Sequence, residues 1–225
     1  MVAAFVFDAV GTLIFPNPSA AEVYAAVGRR FGSQRSVLEI GTRFREAFAR
    51  EEALDGAGGL RTSEARELER WQRIVAAVLD DVCDPSACFR ALHDHFGRPE
   101  AWRCAADAGR VLKTLRERHF RLGLASNYDY RLRAVAVGLP ELEPVRDHLA
   151  ISSEIGWRKP AGEFFTAVAQ MLACPREQIL FIGDDRRNDF DGARAAGLQA
   201  RLFDPQGKES LAPAECVRRL SNLLD

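Results

Sequence analysis

Five short apolar runs constrain this chain more than any other feature of its 225 residues. They are Ala3–Phe7, Arg121–Ser126, Leu149–Ser152, Ile179–Ile182 and Gln199–Phe203. At four to six residues each, they are short enough to read as buried strands rather than helices. Helical patterns follow from residue 106 onward: about Ala106–Arg118, about Tyr130–Val137, one ending at Leu172, a short one ending at Ala196, and a terminal one after Phe203. Strands alternating with helices of about 10 residues imply right-handed crossovers and a parallel sheet. The predicted fold class is therefore α/β.

The interval after the first run is different. Phe15-Pro16-Asn17-Pro18 breaks regular structure. Ser19 and Glu22 have capping-box spacing and open a helix that Gly32 closes. A second helix spans about Ser36 to Leu54, with Leu38, Phe44 and Phe48 on a shared face, before a break at Asp55–Gly59. A third begins at Thr62 or Ser63 and repeats Leu68, Trp71, Val75, Val78 and Leu79 at helical spacing. Asp84-Pro85 caps a fourth, and Gly97 ends it. Residues 15–97 thus read as an all-helical insertion in a core made of residues 1–14 and 98–225.

Composition narrows the function classes. The net charge of -1 provides no field to recruit nucleic acid or an anionic membrane. Twenty-eight of the 31 basic residues are arginines, scattered rather than clustered, and they read as genomic composition. The five cysteines contain no C-x-x-C pair, which suits reduced thiols in a cytoplasm. His93 and His95 flank Asp94 on a helical pattern and suit packing or surface roles better than a metal site. The amino terminus enters a strand without a basic, then apolar, leader pattern, and no apolar run is long enough to span a bilayer. Neither a G-x-x-x-x-G-K-[ST] loop nor G-x-G-x-x-G after a strand is present, which argues against a nucleotide-binding module. The expected protein is soluble and cytoplasmic and acts on a small molecule; its oligomeric state stays open.

Three of the predicted strands end in chemically loaded residues: Asp8, Ser126-Asn127 and Asp184-Asp185. A loop adds Lys159-Pro160. In an open parallel sheet, ligands gather outside the carboxyl ends of the strands. If these strands are neighbours, Asp8 can attack an electrophile while Ser126 and Lys159 bind its anionic oxygens. Asp184 and Asp189 can then hold a divalent cation against Asp8. Oxygen ligands with no His or Cys nearby suit Mg²⁺, which would offset repulsion between a carboxylate nucleophile and a phosphoryl group.

Asp8-Ala9-Val10-Gly11-Thr12-Leu13, Ser126-Asn127, Lys159-Pro160 and Gly183-Asp184-Asp185-Arg186-Arg187-Asn188-Asp189 resemble, in order, the four motifs of the haloacid dehalogenase (HAD) superfamily. The resemblance covers essentially the whole chain and makes residues 15–97 a helical cap. It implies a Rossmann-like parallel sheet of order 3-2-1-4-5 with the Asp8 strand central. It implies that Asp8 is the nucleophile of a covalent aspartyl intermediate. Lys159 would be catalytic beside it, binding phosphoryl oxygens and steadying the carboxylates. Thr12, Ser126 and Asn127 would lie on the substrate side. Asp8, the Val10 carbonyl, Asp184, and Asp189 or Asp185 would bind Mg²⁺.

One position departs from the pattern. Phosphatases of the superfamily carry a second Asp two residues after the nucleophile, which protonates the leaving group and later activates water. Here that position is Val10. Valine transfers no proton, and such help is typically worth about 10²–10⁴-fold. Three readings follow. The first is a Mg²⁺-dependent phosphohydrolase that is slow or restricted to good leaving groups, with Asp185 and Asp129 as substitute acid/base candidates. The second is a 2-haloacid dehalogenase, whose halide departs without a proton but whose fourth motif is expected to be neutral at Asp184. The third is a weakly catalytic relative that binds a phosphorylated ligand or a partner. Asp184 places the phosphohydrolase first. The insertion is rich in Arg and Phe and carries Trp71, and Arg43 and Arg45 are candidates for contact with an anionic substrate.

Overall fold

A computed structural model describes residues 1–224. Its first strand, β1 (Ala4–Phe7), is buried throughout. Phe5 and Phe7 enter one apolar cluster, while Ala4 and Val6 enter another. Alternate residues of a strand face opposite sides, so both faces of β1 are covered, as for the central strand of a parallel sheet. Each large side chain buried here contributes about 1.5–3 kcal/mol.

The chain continues through β2 (Ile14–Pro16), α1 (Ala20–Arg30), α2 (Val37–Ala57), α3 (Glu64–Val78), α4 (Pro85–Phe96) and β3 (Trp102–Cys104). Then come α5 (Ala108–Glu117), β4 (Arg121–Ser126), α6 (Arg131–Gly138), β5 (Leu149–Ile151), α7 (Ser152–Ile155) and α8 (Gly162–Met171). The remainder is β6 (Ile179–Gly183), a π-helical segment Arg186–Asp191, α9 (Gly192–Ala195), β7 (Gln199–Phe203) and β8 (Cys216–Val217). The main sheet has the order β5-β4-β1-β6-β7-β8, and every neighbouring pair is parallel. The five strands expected from sequence therefore lie in the order 3-2-1-4-5, and β8 adds a sixth at the edge.

Four local expectations are corrected. The terminal segment after Phe203 is no α-helix: Pro205, Gly207 and Pro213 interrupt it, β8 pairs with β7, and only a 3-10 turn at Leu220–Leu223 follows. Phe15-Pro16 is a strand, because Ile14–Pro16 pairs antiparallel with Trp102–Cys104 at both ends of the helical insertion. Pro16 fits there because it sits at the strand's end in a two-stranded ribbon. In α2, Leu38 is 79% exposed, whereas Ile40 is fully buried. Ile40 lies four and eight residues before Phe44 and Phe48, which is helical spacing; Leu38 does not. The helix also runs through Asp55, whose buried carboxylate is paired rather than solvated in a break.

Helices α1–α4 share an apolar cluster of their own, built on Tyr24, Ile40, Ile74 and Val78. The expected capping box of Ser19 with Glu22 opens α1, and a second one, Ser36 with Glu39, opens α2. The insertion meets the sheet domain along Leu60–Glu64. There the Thr62 amide donates to the Gly156 carbonyl, and the Arg158 amide donates to that of Leu60.

Candidate active site

The sheet brings the sequence-predicted residues to one edge. Phe7 is in register with Leu124 on one side and Ile182 on the other. The strands therefore release Asp8, Ser126 and Asp184 at the same end of the sheet. Lys159 arrives from the loop between α7 and α8. Its ammonium donates to Asp8 Oδ1 at 2.6 Å, to Asp189 Oδ1 at 2.6 Å and to the Ala125 carbonyl at 3.2 Å. An ammonium has three donors, so all are committed to the protein. Lys159 thus braces the two carboxylates here, with no donor left over for a phosphoryl oxygen.

The other carboxylates are held separately. Asp189 is buried, and its Oδ2 accepts the Asp185 amide at 3.1 Å. Asp184 faces the cavity, and its Oδ1 accepts from the Thr12 hydroxyl at 3.2 Å. Two glycines make room for these acids. Gly11 has φ +97°, and a Cβ there would lie 2.4 Å from Asp184 Oδ2. A Cβ on Gly183 would lie 2.2 Å from the Asp189 carboxyl carbon. Both positions need glycine for close approach, and Gly11 needs it for its backbone as well.

One ammonium faces three carboxylates. Burial raises the Asp8 carboxyl above the ordinary carboxylate range; Lys159 opposes the rise and Asp184 adds to it. Desolvation, reinforced by Asp189, pushes Asp184 up to about 6. Asp189 is pushed up to about 7 by burial, against the pull of Lys159. Lys159 itself is raised by the two acids it bonds despite its burial. The charge deficit is that of a divalent cation. Oxygens of Asp8, Asp184 and Asp189 lie within 4.8 Å of one another, an all-oxygen donor set suited to Mg²⁺. The hydrogen bonds of the Asp8–Ile14 loop use the Ala9 and Ile14 carbonyls and leave the Val10 carbonyl without a donor among the described residues.

Several predicted residues serve the site at one remove. The Asn127 amide donates to the Lys159 carbonyl at 3.0 Å and accepts the Lys159 amide at 2.8 Å, which fixes the backbone of that loop. Thr12 is fully buried against Asp184, so it orients a carboxylate instead of touching substrate. Ser126 lines the cavity beside Asp8. Asp129 is not free to move protons: both its oxygens bind the Arg131 guanidinium, at 2.8 and 2.7 Å. Asp185 caps the π-helical segment by accepting the Asn188 amide at 2.8 Å, although it also lines the cavity. Arg43 turns away to Asp80 and the Ala77 and Val78 carbonyls, and Arg45 bonds Thr42. Trp71 does reach the cavity.

Sequence reading missed a buried ion network between the insertion and the site. Arg158, immediately before Lys159, is 1% exposed and pairs with Glu52 at 2.9 Å, Asp55 at 3.3 Å and Glu67. Arg70, equally buried, bonds Asp55 at 3.0 Å and Glu52 at 2.7 Å. Glu52 also accepts from Asn188 at 3.3 Å, one residue from Asp189. The i,i+3 spacing of Glu52 and Asp55 puts them on one helix face, but that pattern also suits an exposed face, and only tertiary packing reveals the partners.

The fold is a parallel sheet with acids at the carboxyl ends of two central strands, beneath a helical insertion. The chain matches the haloacid dehalogenase-like hydrolase family over residues 2–197, and it belongs to that family. It is 26% identical over 228 residues to the cattle (Bos taurus) haloacid dehalogenase-like hydrolase domain-containing protein 3, spanning 97% of this chain and 90% of that protein. In fold it is similar to the HAD-hydrolase YfnB of Bacillus subtilis bound to magnesium, with a TM-score of 0.76, 18% identity and coverage of 99% of this chain and 96% of that one. It is equally similar to the L-2-haloacid dehalogenase of Xanthobacter autotrophicus, with a TM-score of 0.77, 17% identity and coverage of 99% and 97%.

Proposed function

We propose that the chain is a Mg²⁺-dependent phosphohydrolase that works through an aspartyl-phosphate on Asp8, with residues 15–97 acting as its cap. The observation that carries this reading is the excess of carboxylate: Asp8, Asp184 and Asp189 converge on the single ammonium of Lys159. Asp8, Asp184, Asp189 and the Val10 carbonyl would hold the cation. When bound, the cation supplies charge neutralisation for an incoming phosphoryl group. Lys159 holds Asp8 by one oxygen, and no side chain bonds the other, so that oxygen serves as the nucleophile. Its bond to phosphorus forms as the bond from phosphorus to the leaving oxygen breaks. Water then cleaves the aspartyl-phosphate, releasing inorganic phosphate and restoring the carboxylate. Ser126 supplies a hydroxyl beside the nucleophile for a phosphoryl oxygen. Burial of the Asp8–Lys159 pair keeps its geometry fixed and strengthens its electrostatics.

Val10 favours one second reading, a 2-haloacid dehalogenase, because halide needs no proton. Asp184 opposes it, since a carboxylate lining the cavity would repel the carboxylate of a haloacid. Phosphate release from acetyl phosphate with Mg²⁺, lost in EDTA and in Asp8→Asn, is the expected result. Chloride release from L-2-chloropropionate in EDTA, without phosphate release from either acetyl or p-nitrophenyl phosphate, would overturn it.

A further inference from the structure

The cavity above Asp8 has two unlike ends. Its floor carries Asp8, Ser126, Lys159, Asp184 and Asp189, while its walls are lined by aromatic side chains, among them Tyr24, Phe44, Phe48, Trp71, Phe96 and Trp102. Those rings form a continuous chain: Tyr24 meets Phe44 edge-on at 5.4 Å, Phe44 stacks on Phe48 at 6.0 Å, and Phe48 meets Trp71 at 6.4 Å. On the other side Tyr24 meets Phe96 at 6.1 Å, and Phe96 meets Trp102 at 5.9 Å. The volume is about 380 Å³, toward the small end of the range of about 300–1,000 Å³ for ligand sites.

We propose that the substrate is an aryl phosphate monoester, with one phosphoryl group on a compact aromatic body that leaves as a phenolate. This rests on the phosphohydrolase reading and narrows it. The aromatic walls offer the edge-to-face and offset contacts that a second ring prefers. The Trp102 indole N–H and the Tyr128 hydroxyl both donate to the Phe96 carbonyl. Among these wall groups, the Tyr24 hydroxyl and the Trp71 indole N–H have no protein partner among the described residues, so a polar substituent on the ring can be met there. The lining arginines offer no free site for a second anion: Arg131 is engaged by Asp129 and the His93 carbonyl, Arg70 by Asp55 and Glu52, and Arg158 by Glu52, Asp55 and Glu67.

An independent observation, the residue at position 10, points to the same class. With valine there, the leaving oxygen receives no proton from that position. A phenol, with a pKa near the ~10 of tyrosine, leaves readily as its anion. An alkyl alcohol resembles water, whose pKa is about 15.7, and needs the missing acid. The Asp8 oxygen–phosphorus bond forms, the phosphorus–aryl oxygen bond breaks, and the electron pair departs on the phenolate, which takes its proton from solvent. Water then releases phosphate from Asp8.

Four substrates separate the two requirements in the full-length protein with Mg²⁺. Phenyl phosphate has both ring and good leaving group, benzyl phosphate only the ring, acetyl phosphate only the leaving group, and glycerol phosphate neither. Phenyl phosphate is expected to exceed glycerol phosphate in kcat/KM by about 10²–10⁴-fold. Benzyl phosphate should share the KM of phenyl phosphate with a far lower kcat, and acetyl phosphate should show a much higher KM. Trp71→Ala should lower the phenyl-to-acetyl ratio of kcat/KM about tenfold. Glycerol phosphate turned over as well as phenyl phosphate, or a Trp71→Ala ratio that does not move, would overturn the aryl assignment and leave the phosphohydrolase reading standing. Failure of all four, with phenyl phosphate still bound by Asp8→Asn in calorimetry, would instead defeat the hydrolase step itself and the aryl proposal with it.

Discussion

Arg158 donates from Nη2 to Glu52 Oε1 at 2.9 Å, so the residue preceding Lys159 is tied directly to helix α2 of the insertion. The same guanidinium reaches Glu67 on α3, which is 1% exposed. Breaking a buried pair from one side strands the other charge, at a cost of about 3–5 kcal/mol. Arg158→Leu should therefore lower unfolding free energy by about that amount in urea titrations. Adding Glu67→Gln in the same chain should recover part of the loss. A double variant no more stable than the single one would show that Glu67 is not the stranded charge.

The acid cluster makes stability depend on pH in the absence of metal. Asp184 is pushed up to about 6 from an ordinary value of 3.8, so the folded state holds a proton that the unfolded chain releases. Its contribution is fully present below pH 3.8 and lost as pH rises through about 6. In EDTA, Asp184→Asn should thus gain in Tm over the parent more at pH 8 than at pH 5. Equal gains at both values would mean that Asp184 does not carry the strain. Mg²⁺ should raise the parent's Tm at pH 8, and Asp184→Asn should lose most of that rise.

Gly11 is the position where backbone and cation site meet. Gly11→Ala would place a methyl 2.4 Å from Asp184 Oδ2 at a φ of +97°. Strain of this kind costs about 1–3 kcal/mol. The expected result is a folded protein of lower Tm with Mg²⁺ affinity reduced at least about tenfold by calorimetry, since about 1.4 kcal/mol is one decade. Unchanged affinity would remove Asp184 from the ligand set.

Val10 is the position where activity can be gained. Val10→Asp returns a proton-transfer group two residues from Asp8 and should raise kcat for alkyl phosphates by up to about 10²–10⁴-fold. Phenyl phosphate should gain far less, because its leaving group does not need the proton. A uniform gain across substrates, measured by phosphate release, would point to hydrolysis of the aspartyl-phosphate as the step that was limited.

The sheet was legible in the sequence because its strands are apolar runs ending at Asp8, Ser126 and Gly183, and buried parallel strands have that signature. Asp8 and Asp184 were legible for the same reason, each standing where a strand stops, whereas Asp189 was legible only through the fourth motif. Residues acting through tertiary partners were not. Asn127 beside Ser126 looks like a substrate contact until its amide is seen clamping the Lys159 backbone. Asp129 looks like a spare acid until Arg131 occupies both oxygens. Arg158, Glu52 and Glu67 carry no local signal, because charged residues on helices are ordinarily solvated and only a facing element buries them. The strand at β8 escaped notice because two residues make no periodic pattern.

Covalent chemistry at Asp8 is most directly tested by mass spectrometry of acid-quenched enzyme after brief reaction with acetyl phosphate and Mg²⁺. A phosphoryl group on the peptide containing Asp8, absent in Asp8→Asn and in EDTA, is the predicted result. An unmodified Asp8 under these conditions, together with an ester of Asp8 formed from L-2-chloropropionate without metal, would contradict it.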